Sequence, residues 1–523
     1  MREETVRDIF IRWTDERPAF TLSSFFEEVQ GSLHHQQMLA EILPILSECG
    51  CEIVKEEGDL VVRWKRKGQC TPGEAPAERK VDPVIQKAIE NHITAKTGKS
   101  WNDPLTLSRI REAIIGQKED YWKEGENRFI RYHSGYSVFA YLAYHFPVSF
   151  IQMRHLISEL MSDRLLPERM AVLDVGCGPG TVTLALQSLL SNDSACRASV
   201  HAIEQASEFI EAYHALTRHV KNTNLTILAP ETLDITDSQT PLPEGPYDLI
   251  VCANVLNEIP DTRIREKTVL RLAERLSDDG TILITEPADL ANATALRNLS
   301  RRLHEEGVLI YAPCADIRGV PCMVGRCWSF IEFPDIQPTR LMNAVAATDE
   351  PFRFYNTDIK TAYAIHRKDG IKKIQYRVPN NAKAERISRL HLHEGKKINV
   401  IAQKISANIG DSSTFLYRIC DGTGRREAYA ALPFYHQSDN NTQLRKAAYG
   451  SVLRFDRVLV RHHKKYDAYH LLVTKESNIE LLAGSILEGG EHTLRQARRE
   501  TKSGAERRAD REQKKKQRRK RRL

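Results

Sequence analysis

Nowhere in this 523-residue chain does an uninterrupted apolar run reach about 18 residues, which argues against a membrane-spanning helix. The opening stretch MREETVRDIFIRW is charged and lacks an apolar core, so no export signal is expected. Cysteine is scarce, ten in all, and too thinly spread for a disulfide scaffold. These absences predict a cytoplasmic or equivalent reducing location, where a local cluster of thiols means metal or catalysis. Hydrophobic residues at 41% and charged residues at 28% are ordinary for globular cores, and the length predicts about three domains.

Charge is unevenly placed. Residues 490–523 hold 15 Lys and Arg against 5 Asp and Glu, a local +10, which leaves −3 of the total +7 for the rest of the chain. A tail ending REQKKKQRRKRRL cannot bury apolar area and is expected to be disordered until it meets a polyanion. It suits a phosphate backbone, giving salt-dependent affinity without sequence information; a solubilising or localisation tail is the alternative. At the other end, residues 1–66 show two stretches of helical spacing and then EIVKEEGDLVVRWKR, two strands about a Gly-Asp turn. That is the outline of a winged-helix-like domain, or equally of a small interaction module. A linker is expected over 67–83 and a mostly helical region over 84–165, whose aromatic stretch at 132–150 is assigned to packing.

From Ala171 the pattern alternates between apolar strands and amphipathic helices, which predicts a parallel sheet covered on both faces, with ligands beyond the carboxyl ends of the strands. The loop DVGCGPGT at 174–181 falls at that point. Gly176, Gly178 and Gly180 allow a tight turn and close backbone approach, while Asp174 and Glu204 stand where acids could hold an amine or ribose hydroxyls. A nicotinamide site is one reading. The spacing is not GxGxxG, however, and it resembles the first motif of class I methyltransferases, which implies S-adenosylmethionine. In that fold the acceptor site follows the fourth strand, here ANVLNEIP, so Asn254, Asn257 and Glu258 are the catalytic candidates. Neither an NPPY-like sequence nor a Pro-Cys pair is present to mark an amine or cytosine-carbon acceptor.

Cys314, Cys322 and Cys327 crowd into fourteen residues, and clustered thiolates repel until a cation neutralises them. Thiolate sites suit tetrahedral zinc and iron-sulfur clusters alike. Five strand candidates then follow over 382–486, with a helical stretch between the third and fourth, as in an OB-like β-barrel. Tyr417, Arg418, Arg425, Arg426, Arg454, Arg457 and Lys464 are candidates for an RNA-reading face; a purely structural barrel is the alternative.

Over residues 80–475 the chain resembles the methyltransferase-like assembly factors of the small ribosomal subunit. The resemblance rests on YLAYHFPVSF, VLDVGCGPGT, ANVLNEIP, LITEP, the APC…PC…CW block and CDGTGR, in that order. It implies a four-cysteine [4Fe-4S] cluster on Cys314, Cys322, Cys327 and Cys420, with zinc as the alternative, and it implies the small ribosomal subunit and its rRNA as partners. A cluster so ligated would staple the barrel to the preceding domain. The expected fold class is therefore α/β: a class I methyltransferase Rossmann-like sheet over 166–376 carrying the cysteine metal-binding insertion, preceded by a helical N-terminal region and followed by the barrel. The expected function is S-adenosylmethionine-dependent methyl transfer to rRNA, or a non-catalytic RNA-binding role in ribosome assembly.

Overall fold

The computed structural model describes residues 5–29, 35–46, 49–56, 59–65, 68–70, 79–121, 135–190, 195–219, 222–320, 322–323, 325–333, 335–357, 359–411 and 413–487. The basic tail and most of the expected linker lie outside them. The chain divides into two compact units, Met1–Ala312 with Ile336–Lys373, and Pro313–Asp335 with Ile374–Leu523.

The first unit begins with helix α1 (Val6–Glu16), strand β1 (Ala19–Thr21), α2 (Leu22–Glu28), α3 (His35–Ile42), β2 (Cys51–Glu56) and β3 (Asp59–Trp64). The strands form an antiparallel sheet in the order β1-β3-β2. Thr5 opens α1 with a reciprocal cap: its hydroxyl accepts from the Asp8 amide while Asp8 accepts from the Thr5 amide, satisfying donors the first turn would leave orphaned. Phe10, Trp13, Phe20 and Phe25 then meet edge to face, centroids 5.0 to 5.8 Å apart, and form the core of this module. Four helices follow, α4 (Pro83–Thr97), α5 (Pro104–Tyr121), α6 (Ser137–Tyr144) and α7 (Phe146–Ser162). Apolar on nearly every face, α7 is buried along most of its length and packs on α8 (Thr181–Leu189).

The main sheet runs β10 (Leu309–Ala312), β12 (Ile359–Arg367), β9 (Leu276–Pro287), β8 (Tyr247–Ala253), β4 (Arg169–Val175), β5 (Arg197–Glu204) and β6 (Leu225–Ile227), with the short β7 (Glu231–Thr232) beside β5. The strands from β9 to β6 are parallel, and β12 is antiparallel to both β9 and β10. Near-continuous apolar runs such as Ile250–Cys252 fit strands buried on both faces. Covering helices include α9 (Ser207–Thr217), α10 (Thr262–Glu274) and α11 (Leu290–Glu305), and α12 (Arg340–Val345) packs on α4, α5 and α6. Chain order switches at β4, whose neighbours are β5 and β8, so the crevice beyond that strand faces the glycine loop.

Within the same unit Cys70 and Cys196 are bonded to each other, Cα to Cα 5.3 Å. One bond joining residues 126 positions apart is not a disulfide scaffold, the arrangement that the scarcity of cysteine argued against.

The second unit is built on β13 (Lys397–Lys404), β14 (Thr414–Cys420), β15 (Ala428–Pro433), β16 (Val452–His463) and β17 (Ala468–Leu472). They pair in the order β13-β14-β15-β17-β16, and β16 pairs back with β13, closing a five-strand barrel. Helix α13 (Gln443–Lys446) lies between the third and fourth strands, β15 and β17 are parallel, and β18 (Asn478–Ala483) extends β16. This unit also contains residues 313–335, including the short strand β11 (Ile331–Phe333). The cysteine block thus groups with the barrel and not, as expected, with the Rossmann-like sheet. Ala315 and Ile317 share an apolar cluster with Val378, Ile401 and Val452, which explains the grouping.

Candidate functional site

The glycine loop follows β4 directly. Gly176 has φ +64°, and a Cβ there would meet Val255 Cγ2 at 2.6 Å, so any side chain would push the loop off the segment after β8. Gly178 has φ +52° and open space above it, with only Phe209 at 4.0 Å. Gly180 does other work: it is the N-cap of α8, and a Cβ would crowd Tyr213 and Thr217. Glu204 ends β5 and accepts three main-chain bonds, from Gly178 to Oε2 at 3.0 Å and from Gln205 and Ala206 to Oε1 at 2.9 Å each.

These residues border a cavity of about 770 Å³, inside the range usual for small-molecule sites. Gly176, Gly178, Glu204, Asn254, Asn257 and Glu258 all line it. Asp174 and Gly180 do not. Asp174 is fully buried, both its carboxylate oxygens lack a hydrogen-bond partner, and burial, with the nearby Glu204 charge, pushes its carboxyl well above the usual range. It therefore stands in β4 just before the glycine loop, without bordering the cavity itself.

At the far side, Asn254 takes a left-handed backbone, φ +58°, and its amide donates to Thr285 O at 2.9 Å. The Asn257 amide group donates to Asn254 O and Glu286 Oε2, both 2.9 Å, and its main-chain N–H donates to Glu286 Oε1 at 3.1 Å. Buried Glu286, from the end of β9, therefore holds the loop that carries all three catalytic candidates.

Helices α5 to α7 supply lining residues that the sequence reading assigned to packing or did not single out: Lys118, Tyr141, Tyr144, His145, Ser149 and Gln152. Burial, and then Arg353, brings Lys118 down to about 8; its ammonium donates to Arg353 O and sits 4.1 Å over the Tyr144 ring. Burial raises Tyr141 to about 12, so its phenol is neutral near pH 7, and its ring meets Phe209 at 5.2 Å. The same cause lowers His145 to about 4, Lys118 adding to it. Aromatic spacing in YLAYHFPVSF looks like core; only the position of α6 beside the glycine loop shows that part of it faces a cavity.

In the second unit, Cys420 ends β14 and is the ladder partner of Gln403. Gln403 Nε2 donates to Pro313 O at 2.9 Å, and its Oε1 accepts from Ala315 N at 3.0 Å, so this one side chain grips the backbone on both sides of Cys314. Met323 N donates to Gly422 O at 2.9 Å, bringing Cys322 to the turn after Cys420, and Gly422 N donates to Cys420 Sγ at 3.3 Å. Burial, then Cys327 and Cys322, raises the Cys420 thiol well above its ordinary range. Cys322 and Cys327 thus lie near Cys420, although among the described residues no three metal-ligating side chains stand in coordination geometry.

The other sequence candidates separate. Tyr417 is fully buried in the barrel core, and Arg418 is buried too, its guanidinium donating to Arg326 O at 2.7 Å and lying 3.5 Å from Glu427. Neither can read RNA from that position. Arg454 is paired with Asp456 at 2.9 Å, while Arg425, Arg426, Arg457 and Lys464 are exposed.

A family model described as a methyltransferase domain matches residues 150–319. The Rossmann-like sheet has the class I methyltransferase fold. A second model, the C-terminal domain of a domain of unknown function (DUF8157), matches residues 388–482 and so covers most of the barrel. No curated protein matches the chain. Solved structures similar to it include an S-adenosylmethionine-dependent methyltransferase from Clostridium acetobutylicum (18% identity, 26% of this chain and 49% of that one, TM-score 0.21). Ribosomal protein L11 methylase from Lactobacillus delbrueckii subsp. bulgaricus is another (21% identity, 31% and 70% covered, TM-score 0.22). A third is an S-adenosylmethionine-dependent methyltransferase from Aquifex aeolicus (14% identity, 44% and 98% covered, TM-score 0.28). The chain spans about half the length of the Clostridium protein, and likenesses this weak carry no argument of their own. Among the described residues no helix is long and apolar enough to cross a membrane.

Proposed function

We propose that this methyltransferase-like chain binds S-adenosylmethionine in the cavity beyond β4 and β5 and transfers its methyl group to RNA of the small ribosomal subunit. The observation that carries the reading is the joining of the glycine loop to Glu204 on the wall of a cavity larger than one nucleoside needs. Glu204 supplies an acceptor for ribose hydroxyls. Leu233 and Ile235 give apolar walls on either side of Asp234, a pairing that suits a purine ring with an exocyclic amine. S-adenosylmethionine supplies an electrophilic methyl group; the chain's own residues must exclude water and align the acceptor with it. Asn254, Asn257 and Glu258 border the remaining space, with Tyr141, Tyr144 and Lys118 opposite. The RNA assignment rests on the sequence resemblance, and methylation assays with small-subunit RNA test it: incorporation of labelled methyl supports it, and its absence in a donor-binding protein removes it.

A second reading, donor binding without turnover in an assembly factor, is favoured by one observation. The Asn257 amide is already used to hold its own loop, between Asn254 O and Glu286, so it is not free to orient an acceptor.

Within the C-terminal unit, Cys314, Cys322, Cys327 and Cys420 are proposed as ligands of a metal centre, an iron-sulfur cluster or zinc. An all-thiolate donor set fits either. A bound metal would neutralise these thiolates and tie residues 313–335 to the barrel. It would not staple two domains, since all four cysteines belong to one unit.

A further inference from the structure

The outer wall of the barrel carries a row of rings flanked by cations. In the ladder Tyr429 of β15 pairs with His470 of β17, and His470 with Arg461 of β16. Side chains alternate across a strand, and the sequence neighbours Ala428, Ala430, Val460, Tyr469 and Leu471 fill the barrel core, so Tyr429, His470 and Arg461 point away from it, Tyr429 being itself buried and His470 half-buried. His463, two residues beyond Arg461, shares that face. Its ring stacks on His470 at 5.1 Å and on Tyr466 at 4.9 Å, with ring planes within 30° in both cases, and Tyr429 meets His470 edge-on at 5.6 Å. The stack ends openly, because Tyr466 is 64% exposed. The buried Nδ1 of His463 has no hydrogen-bond partner.

Cations surround the open end. Arg461, Lys464 and Lys465 are exposed, and Lys465 Nζ lies 5.3 Å from the Tyr466 ring centre. The neighbouring acids are matched already: Asp467 pairs with Arg426 and His462, and Glu427 with Arg418 and the Tyr429 hydroxyl. A stack of near-parallel rings that stops at an exposed aromatic face, ringed by unmatched positive charge, is complementary to a ligand with flat faces and a string of negative charges.

We propose that this strip is a stacking site for single-stranded nucleic acid. A base continues the ring stack beyond Tyr466, and Arg461, Lys464 and Lys465 contact the adjoining phosphates. Paired bases are already stacked on one another and cannot insert there, so a duplex is excluded. The site lies in the C-terminal unit and stands or falls independently of the donor cavity.

Fluorescence anisotropy of the full chain with a labelled single-stranded RNA of about 10 nucleotides tests it, with the matching DNA strand, the duplex and polyglutamate as competitors. Tyr466→Ala should weaken binding about tenfold, the size of one lost base stack, and Tyr466→Phe should restore it. Changing both Lys464 and Lys465 to Ala should flatten the salt dependence. S-adenosylmethionine binding should be unchanged in all three variants. The basic tail is present throughout and cancels from the ratios of wild type to variant, and the competitors are therefore ranked on the part of the binding that Tyr466→Ala removes. RNA and DNA strands competing equally, or RNA better, both support the site. Wild-type affinity in Tyr466→Ala, a duplex that binds as tightly as the single strand, or displacement by polyglutamate as effective as by RNA would overturn it, the last assigning the strip to an acidic peptide.

Discussion

The main-chain amide of Gly178 donates to Glu204 Oε2 at 3.0 Å, joining the turn after β4 to the end of β5. With Gln205 and Ala206 on its other oxygen, Glu204 shapes the loop as well as facing the cavity. Glu204→Ala strands three main-chain donors. It should therefore destabilise the first unit by about 2 kcal/mol, besides weakening donor binding, and urea unfolding would show this. An unchanged midpoint would mean that the loop holds its form without the acid.

His366 offers a pH test. It is fully buried, with Nδ1 at 3.2 Å from Val308 O and Nε2 at 3.1 Å from Ser300 Oγ, and burial brings it down to about 4. Between its ordinary value near 6.5 and about 4 the unfolded chain binds the extra proton and the folded chain does not, so stability falls as pH drops through that window. The loss from this group is about 3 kcal/mol, and thermal unfolding of wild type and His366→Asn at pH 7 and pH 4 should reveal it as a steeper decline in wild type. Parallel declines would place the titrating group elsewhere.

Arg169 ties the N-terminal module to the main sheet. Its guanidinium donates to Cys49 O and Thr14 O, lies 3.1 Å from Asp15 and stacks 4.4 Å from the Trp64 ring. Arg169→Ala should cost about 2 kcal/mol and expose residues 5–65 to protease before the rest of the unit. Simultaneous cleavage throughout the unit would show that the module is not separately anchored.

For the thiol centre, anaerobically purified protein should contain about four irons per chain if a cubane is bound, or one zinc if it is not. Cys420→Ser should lower the metal content and loosen residues 313–335 toward protease. Metal-free wild-type protein would remove the centre.

Period and spacing made the alternation of strands and helices, the glycine turn and the five barrel strands legible in the sequence. Which face a residue occupies was not. Tyr417 and Arg418 looked like an RNA-binding pair, but alternation is the same for either face, and the barrel core takes Tyr417 while Arg326 O takes the Arg418 guanidinium. The cysteine block follows the β9 and β10 segments in sequence, so it was read as part of their domain; the side chain that gathers it, Gln403, lies far along the chain. Cys70 and Cys196 are separated by 126 positions, and no spacing rule pairs them. Lys118, Tyr144 and His145 were hidden because helical periodicity marks a buried face without saying whether protein or ligand covers it.

The central claim is that the cavity beyond β4 and β5 holds S-adenosylmethionine, and calorimetric titration of wild type and Gly178→Ala tests it most directly. The Cβ added at Gly178 would enter open space on the cavity wall, so the variant should fold, give up a few tenths to about 1 kcal/mol to the left-handed backbone, and lose donor binding. Saturable binding at one site per chain in wild type, lost in folded Gly178→Ala, is the predicted result. No binding by wild type, or equal affinity in the two proteins, would contradict the account.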